Sequence, residues 1–261
     1  MPPITTNNND AALDYSNQPS PLVRKRVIFT MGGKGGVGKT GTMLALAEWF
    51  QANEVAVTLL DLDSENKAAG SLKHYFPDTV HSVNIHTPAG LDAFIDYLAD
   101  DGPPVILADM GGGSGQVALD WFDAMHPEIT PLRIAFTAIA VITPDPASVQ
   151  SLLAWSSRLH DRVEYLVVEN ASNPQPDFSY WHHSEQATLF REEFRPLTLT
   201  MEFRLPDLEN AARQYGFTLG QVARRVASVP ILKKTSLVLR AQAYNRRLFL
   251  EFDKATELLL P

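Results

Sequence analysis

The 261-residue chain contains no cysteine. That excludes disulfides, thiolate metal sites and cysteine nucleophiles. No secretory leader is expected, since the first residues are rich in Pro, Thr and Asn and have no apolar core. Nor is there an apolar run long enough to span a bilayer. The longest, such as Ile134-Ala135-Phe136-Thr137-Ala138-Ile139-Ala140-Val141-Ile142, falls well short of the ~20 residues a span needs. A cytoplasmic location is the expectation. Acidic residues are absent from Arg213 to Leu250, where Arg213, Arg224, Arg225, Lys233, Lys234, Arg240, Arg246 and Arg247 lie. That segment carries +8 in a chain whose total is −8, so the remainder stands at −16. Such asymmetry points to a polyanionic partner, or to a helical surface paired with acids elsewhere in the fold.

What is present is organised around Val27 to Thr40. Val27-Ile28-Phe29-Thr30-Met31 is apolar and β-prone, and Met43 to Phe50 has helical spacing. Between them, Gly33 to Thr40 fits G-x-x-x-x-G-K-[ST], the phosphate-binding loop, in the strand–loop–helix context the motif requires. Glycine lets backbone N–H groups turn inward around phosphate oxygens without Cβ clashes. The helix N-terminus adds partial positive charge. Lys39 is expected to reach the β- and γ-phosphates, and Thr40 to offer its hydroxyl to Mg²⁺.

Further apolar runs end in carboxylates. Val55 to Leu60 leads to Asp61-Leu62-Asp63, and Val105-Ile106-Leu107-Ala108 leads to Asp109. Carboxyl ends of buried parallel strands are where open α/β sheets bind ligands. A short strand is expected at Val83 to His86, and longer ones at Arg133 to Thr143, Val163 to Val168 and Leu197 to Phe203. Helices are expected near Leu91 to Leu98, after Pro146, near Glu185 to Phe194, and through most of the remainder. Strands alternating with helices predict an α/β fold: a doubly wound, mainly parallel sheet with helices on both faces. Met1 to about Val23 reads as a disordered tail, and 24–261 as one domain. His182 and His183 fall in an expected loop, with no pattern around them that predicts a metal site.

Lys34, second in the loop, gives Lys34-Gly35-Gly36-Val37-Gly38-Lys39-Thr40. This resembles the deviant phosphate loop of the ParA/MinD family of dimerising ATPases, within the P-loop NTPases. The resemblance covers roughly Arg26 to Pro230. It implies that Gly33, Lys34, Gly35, Gly36, Val37, Gly38, Lys39, Thr40 and Gly41 form the nucleotide site, with ATP and Mg²⁺ as cofactors. It implies that Lys34 reaches the nucleotide of a partner subunit in an ATP-dependent homodimer. Asp61 would support the Mg²⁺ shell, Asp109 would hold Mg²⁺ through water, and Asp63 would orient the attacking water. Ser64-Glu65-Asn66 replaces the Pro-Gln that often follows this aspartate. Met110-Gly111-Gly112-Gly113 suits a second switch. Gly41 stands where partition ATPases commonly have threonine, which removes one contact to the α-phosphate. Asn170 would meet the purine edge; an asparagine that only turns the chain accounts for it equally.

Relatives with iron–sulfur clusters need cysteines, so that branch is out. Leu205-Pro206 and Thr218-Leu219-Gly220 are similar to plasmid-transfer ATPases of the TraL type. The expected function is a slow ATPase switch, stimulated by a protein partner, in plasmid partition or conjugative transfer. The alternatives are a metabolic ligase of the same superfamily and a MinD-like membrane-cycling protein. Glu251, Asp253 and Glu257 near the end of the sequence disfavour a membrane-binding helix. Lys233, Arg240 and Arg247, spaced by seven, would share one helical face and bind DNA without sequence preference.

Overall fold

Apolar, β-branched runs become seven strands, and amphipathic segments between them become helices. The computed structural model describes residues 23–62, 70–113 and 115–261. The expected tail and Asp63 to Asn66 therefore lie outside the described residues, apart from Val23. In chain order come β1 (Lys25–Thr30), α1 (Lys39–Ala52), β2 (Val57–Asp61), α2 (Leu72–Tyr75), β3 (Val80–Ser82), α3 (Pro88–Ala99) and β4 (Val105–Asp109). Then follow α4 (Gly115–Ile129), β5 (Ile134–Ile142), α5 (Pro146–Leu159), β6 (Glu164–Asn170), α6 (Ser179–His183), α7 (Glu185–Phe194) and β7 (Leu197–Met201). The chain closes through α8 (Pro206–Gln214), α9 (Leu219–Ala223), α10 (Thr235–Lys254) and α11 (Thr256–Leu259).

The strands form one sheet in the order β3-β2-β4-β1-β5-β6-β7, and every pairing is parallel. β1 is central, with β4 on one side and β5 on the other. The chain first winds outward on the β4 side and then crosses to β5. The reversal opens a crevice at the carboxyl end of β1, where such sheets take ligands.

Successive strand side chains point to opposite faces, so the mostly apolar strands feed two cores. Val27, Phe29, Ile106 and Ala108 pack with Phe94, Leu98, Phe122, Leu152 and Trp155 on one face. Ile28, Val105 and Leu107 pack with Met43, Leu46, Phe50, Leu248 and Phe252 on the other. Fully burying one such side chain contributes about 1.5–3 kcal/mol. A satellite core joins Leu208, Val222, Leu232 and Val238 across α8, α9, the turn before α10 and α10 itself.

Three expectations change. The strand expected at Val83 to His86 lies at β3, just before it. Val83 and Ile85 are buried as their alternation requires, but the backbone turns there. The Asn84 side chain accepts from the His86 N–H, and the Asn84 carbonyl accepts from the Thr87 hydroxyl, leading into α3. Lys25 and Arg26, expected to precede the first strand, are buried inside it. Lys25 donates to the Tyr97 carbonyl at 2.9 Å, and Arg26 pairs with Glu164 and donates to Leu260 O. Finally, His182 and His183 sit on α6 rather than in a loop, and His182 Nε2 lies 3.1 Å from Glu169.

Phe50 is fully buried between α1, the sheet and α10. Phe50→Ala should cost about 3–5 kcal/mol in urea denaturation. A loss under about 1 kcal/mol would contradict this packing.

Candidate functional site

The loop between β1 and α1 needs glycine at two defined places. Gly33 has φ +106°, and a Cβ there would lie 2.0 Å from Ser151 Oγ. Gly38 has φ +103°, and a Cβ there would lie 2.4 Å from Asn170 Nδ2. Gly38 also caps α1 without any side-chain hydrogen bond, and no acidic residue lies in the first turn. The first N–H groups of α1 and the positive end of its dipole are left for an anion.

The two loop lysines diverge. Lys39 turns back over the loop and donates to the Lys34 carbonyl at 2.9 Å. Lys34 turns outward, and its Nζ lies 3.1 Å from Asp145 Oδ2, both side chains being about half exposed. Asp145 caps α5, accepting from the Ala147 N–H at 2.9 Å. That backbone hydrogen bond, with Lys34 next, holds its carboxyl below the usual range.

Behind the loop, Asp61 and Asp109 are register partners on β2 and β4. They are 6% and 3% exposed. Burial pushes Asp109 up to about 6, and the nearby Asp61 charge adds to this. Hydrogen bonds from Thr40 and Thr30 and the charge of Lys39 pull the other way. Thr30 Oγ1 is 3.1 Å from Asp109 and accepts from the Met110 N–H at 2.8 Å. The glycine run after Asp109 is tied to the loop, since Gly33 N–H donates to Gly112 O at 3.2 Å.

A cavity of about 460 Å³ opens from this point along α1. Gly35, Gly36, Gly38, Lys39, Thr40 and Gly41 form one end. Arg204, Tyr244, Glu48 and Thr218 line it too. Glu48 is buried and holds α1 to α9 through Thr218 and Arg224.

The structure thus brings together Gly33 to Gly41, Lys34, Lys39, Thr40, Asp61 and Asp109. Asn170 stands at the end of β6, beside the loop. Its Nδ2 donates to Val37 O at 2.7 Å, bracing the loop, and it does not line the cavity. Its buried Oδ1 has no hydrogen-bond partner among the described residues. Asp63 lies outside the described residues.

The basic segment is only partly uncompensated. Lys233 lies in a 3₁₀ turn, Pro230–Lys233, that precedes α10, so the three-residue helical face expected through Lys233 does not form. Arg247 pairs with Glu202 at 2.7 Å, and Arg224 pairs with Glu48 at 2.5 Å.

Four contributors lie outside the residues singled out in the sequence: Thr30, Asp145, Ser151 and Arg204. A polar Thr30 ending an otherwise apolar strand was a readable signal. The others reach the loop from 100 or more positions downstream, and no local pattern marks them.

The fold and loop define a phosphate-loop protein with a nucleotide-binding cleft. Residues 28–248 match the CobQ/CobB/MinD/ParA nucleotide binding domain, and the chain belongs to that family. None of the curated proteins matches the chain. Among solved structures, the septum site-determining protein MinD complexed with Mg-ADP from Pyrococcus horikoshii OT3 is similar at 18% identity and a TM-score of 0.51. That match covers 89% of this chain and 97% of that one. The MinC:MinD cell division protein complex of Aquifex aeolicus matches at 15% identity and a TM-score of 0.48, covering 87% and 96%. The likeness to the Pyrococcus protein shows a shared fold.

Asp109 gives a pH prediction. Its raised pKa means that the folded chain keeps a proton the unfolded chain has released. Its contribution to stability is therefore full below about pH 4 and lost as pH rises through about 6. Asp109→Asn, free of nucleotide and metal, should be more stable than the parent by up to roughly 3 kcal/mol above neutrality. The difference should shrink below about pH 4. Urea midpoints at both pH values check this, and equal midpoints above neutrality would contradict it.

Proposed function

We propose that the protein binds ATP with Mg²⁺, hydrolyses it slowly, and uses it to switch between a monomer and an ATP-bound homodimer. The observation that carries this reading is the divergence of the two loop lysines. Lys39 lies over its own loop, while Lys34 points off the surface to an exposed carboxylate. A solvent-exposed ion pair of that kind contributes little, so a phosphate on a second subunit can displace it. A ligase acting alone has no use for an outward lysine.

The residues fit the cofactors. Open N–H groups at the start of α1 and the Lys39 ammonium suit the triphosphate. A divalent cation would offset the buried Asp61–Asp109 charge. Thr40 would ligate it directly, with Asp61 and Asp109 acting on its water shell. Bound Mg²⁺ would neutralise charge on the phosphates. Gly33, Lys34, Gly35, Gly36, Val37, Gly38, Lys39, Thr40 and Gly41 form the cradle, and Asn170 holds its curvature. Asp63 is assigned the orientation of the attacking water.

The proposed setting is plasmid partition or conjugative DNA transfer in the cytoplasm, with a protein partner that stimulates hydrolysis. Non-specific DNA is the proposed polyanion. Arg225, Lys233, Lys234, Arg240 and Arg246 are exposed and have no carboxylate partner among the described residues. A MinD-like membrane cycle is less well supported. Residues 256–260 are docked on the sheet, with Leu259 buried and the Leu258 carbonyl accepting from Thr137.

Light scattering with and without ATP tests the switch. Lys34→Ala should keep nucleotide and lose the ATP-dependent dimer; an unchanged dimer removes Lys34 from the interface. Asp63→Ala should dimerise yet hydrolyse little, and parent-like turnover would move water positioning elsewhere. For the cations, Lys233→Glu with Lys234→Glu and Arg240→Glu should abolish gel retardation of DNA in ATP at low salt. Arg247→Glu should matter less, because Arg247 is already paired. No retardation of the parent protein would point the patch to an acidic protein instead.

A further inference from the structure

Arg204 is a largely buried cation at the nucleotide cavity that the phosphate loop does not supply and no sequence motif marks. It leaves β7 three residues past Met201, yet its side chain is only 14% exposed. Tyr244 Oη lies 3.3 Å from Nη1, Met201 Sδ lies 3.4 Å from Nη1, and Glu209 Oε1 lies 3.1 Å from Nη2. These partners fix the plane of the guanidinium. A guanidinium has five N–H donors, so others remain, including Nε, which has no partner among the described residues.

Its position relative to Gly41 is specific. A Cβ built on Gly41 would stand 3.7 Å from Nη1 and 3.8 Å from Nη2 of Arg204. Gly41 follows Thr40 in the first turn of α1, beside the open N–H groups, and both it and Arg204 line the cavity. A hydroxyl on residue 41 would reach into the same space from the opposite wall. This chain has no side chain at 41 and a held guanidinium facing the gap.

We infer that Arg204 contacts the α-phosphate of the bound nucleotide, in the place a hydroxyl side chain at position 41 would take. The inference rests on the ATP-binding reading above and deepens it. A guanidinium suits such a contact because it stays charged and its fork matches phosphate oxygens. The α-phosphate is common to ATP and ADP. Arg204 therefore supports both nucleotides alike, whereas a group that sensed the γ-phosphate would discriminate between them.

The test is calorimetric titration of the full chain with Mg-ATP and Mg-ADP. Arg204→Ala should weaken both by the same factor, about ten- to a hundredfold, the worth of one charge-assisted hydrogen bond. Arg204→Gln keeps a polar group beside Tyr244 and should lose as much, which controls for damage to packing. Gly41→Thr in the Arg204→Ala background should restore part of the affinity, because position 41 has no positive φ and room for a Cβ. Unchanged affinity in Arg204→Ala, or a loss confined to ATP, would overturn the inference. If the parent protein binds neither nucleotide, it is the ATP-binding reading that fails.

Discussion

The site depends on one constraint, a helix that begins without its own cap. Side chains at helix starts commonly satisfy the first N–H groups. Here Gly38 occupies the cap and offers none, and no acid stands in the first turn. The backbone reaches this geometry only through left-handed glycines, one wedged against Asn170 and another against Ser151. The positive end of α1 thereby faces the cavity, and two buried carboxylates, Asp61 and Asp109, end adjacent strands behind the loop. Neither half is comfortable alone. Burial raises the Asp109 carboxyl to about 6, and the start of α1 presents its partial positive charge without a side-chain cap. A triphosphate with its divalent cation satisfies both at once, and this reciprocity makes the cleft a nucleotide site.

The sheet explains why those groups meet. Parallel pairing in register sets Asp61 beside Asp109 at the ends of adjacent strands. The change of winding direction at β1 leaves the space above them open. α5 approaches from the other side. Its cap, Asp145, holds Lys34, its Ser151 donates to the Gly32 carbonyl at 3.1 Å, and its Trp155 packs against Gly32 and Gly115. The loop and the start of α4 are therefore coupled through one helix.

Much of this was legible in the sequence. Glycine and lysine spacing from Gly33 to Thr40 marked the loop, and apolar runs ending in Asp61 and Asp109 marked the sheet edge. What escaped was decided by tertiary contacts. Val83 and Ile85 alternate like a strand, but Asn84 and Thr87 compete for the backbone and turn it into α3. Arg213 to Leu250 reads as a basic stripe until Glu48 and Glu202, far off in sequence, neutralise Arg224 and Arg247. That the Asn170 amide, at the expected strand end, also braces the loop at Val37 appears only in the fold. Arg204 lies in a segment with no periodicity, and only the fold brings it to Gly41.

Hydrogen exchange read by mass spectrometry, with and without Mg-ATP, tests the central claim most directly. Open N–H groups that receive phosphate oxygens exchange slowly once bound. The account predicts ATP-dependent slowing centred on residues 33–41, extending to 110–113 through the Gly33–Gly112 contact. Slowing confined to another part of the sheet, or none with nucleotide in excess, would contradict it.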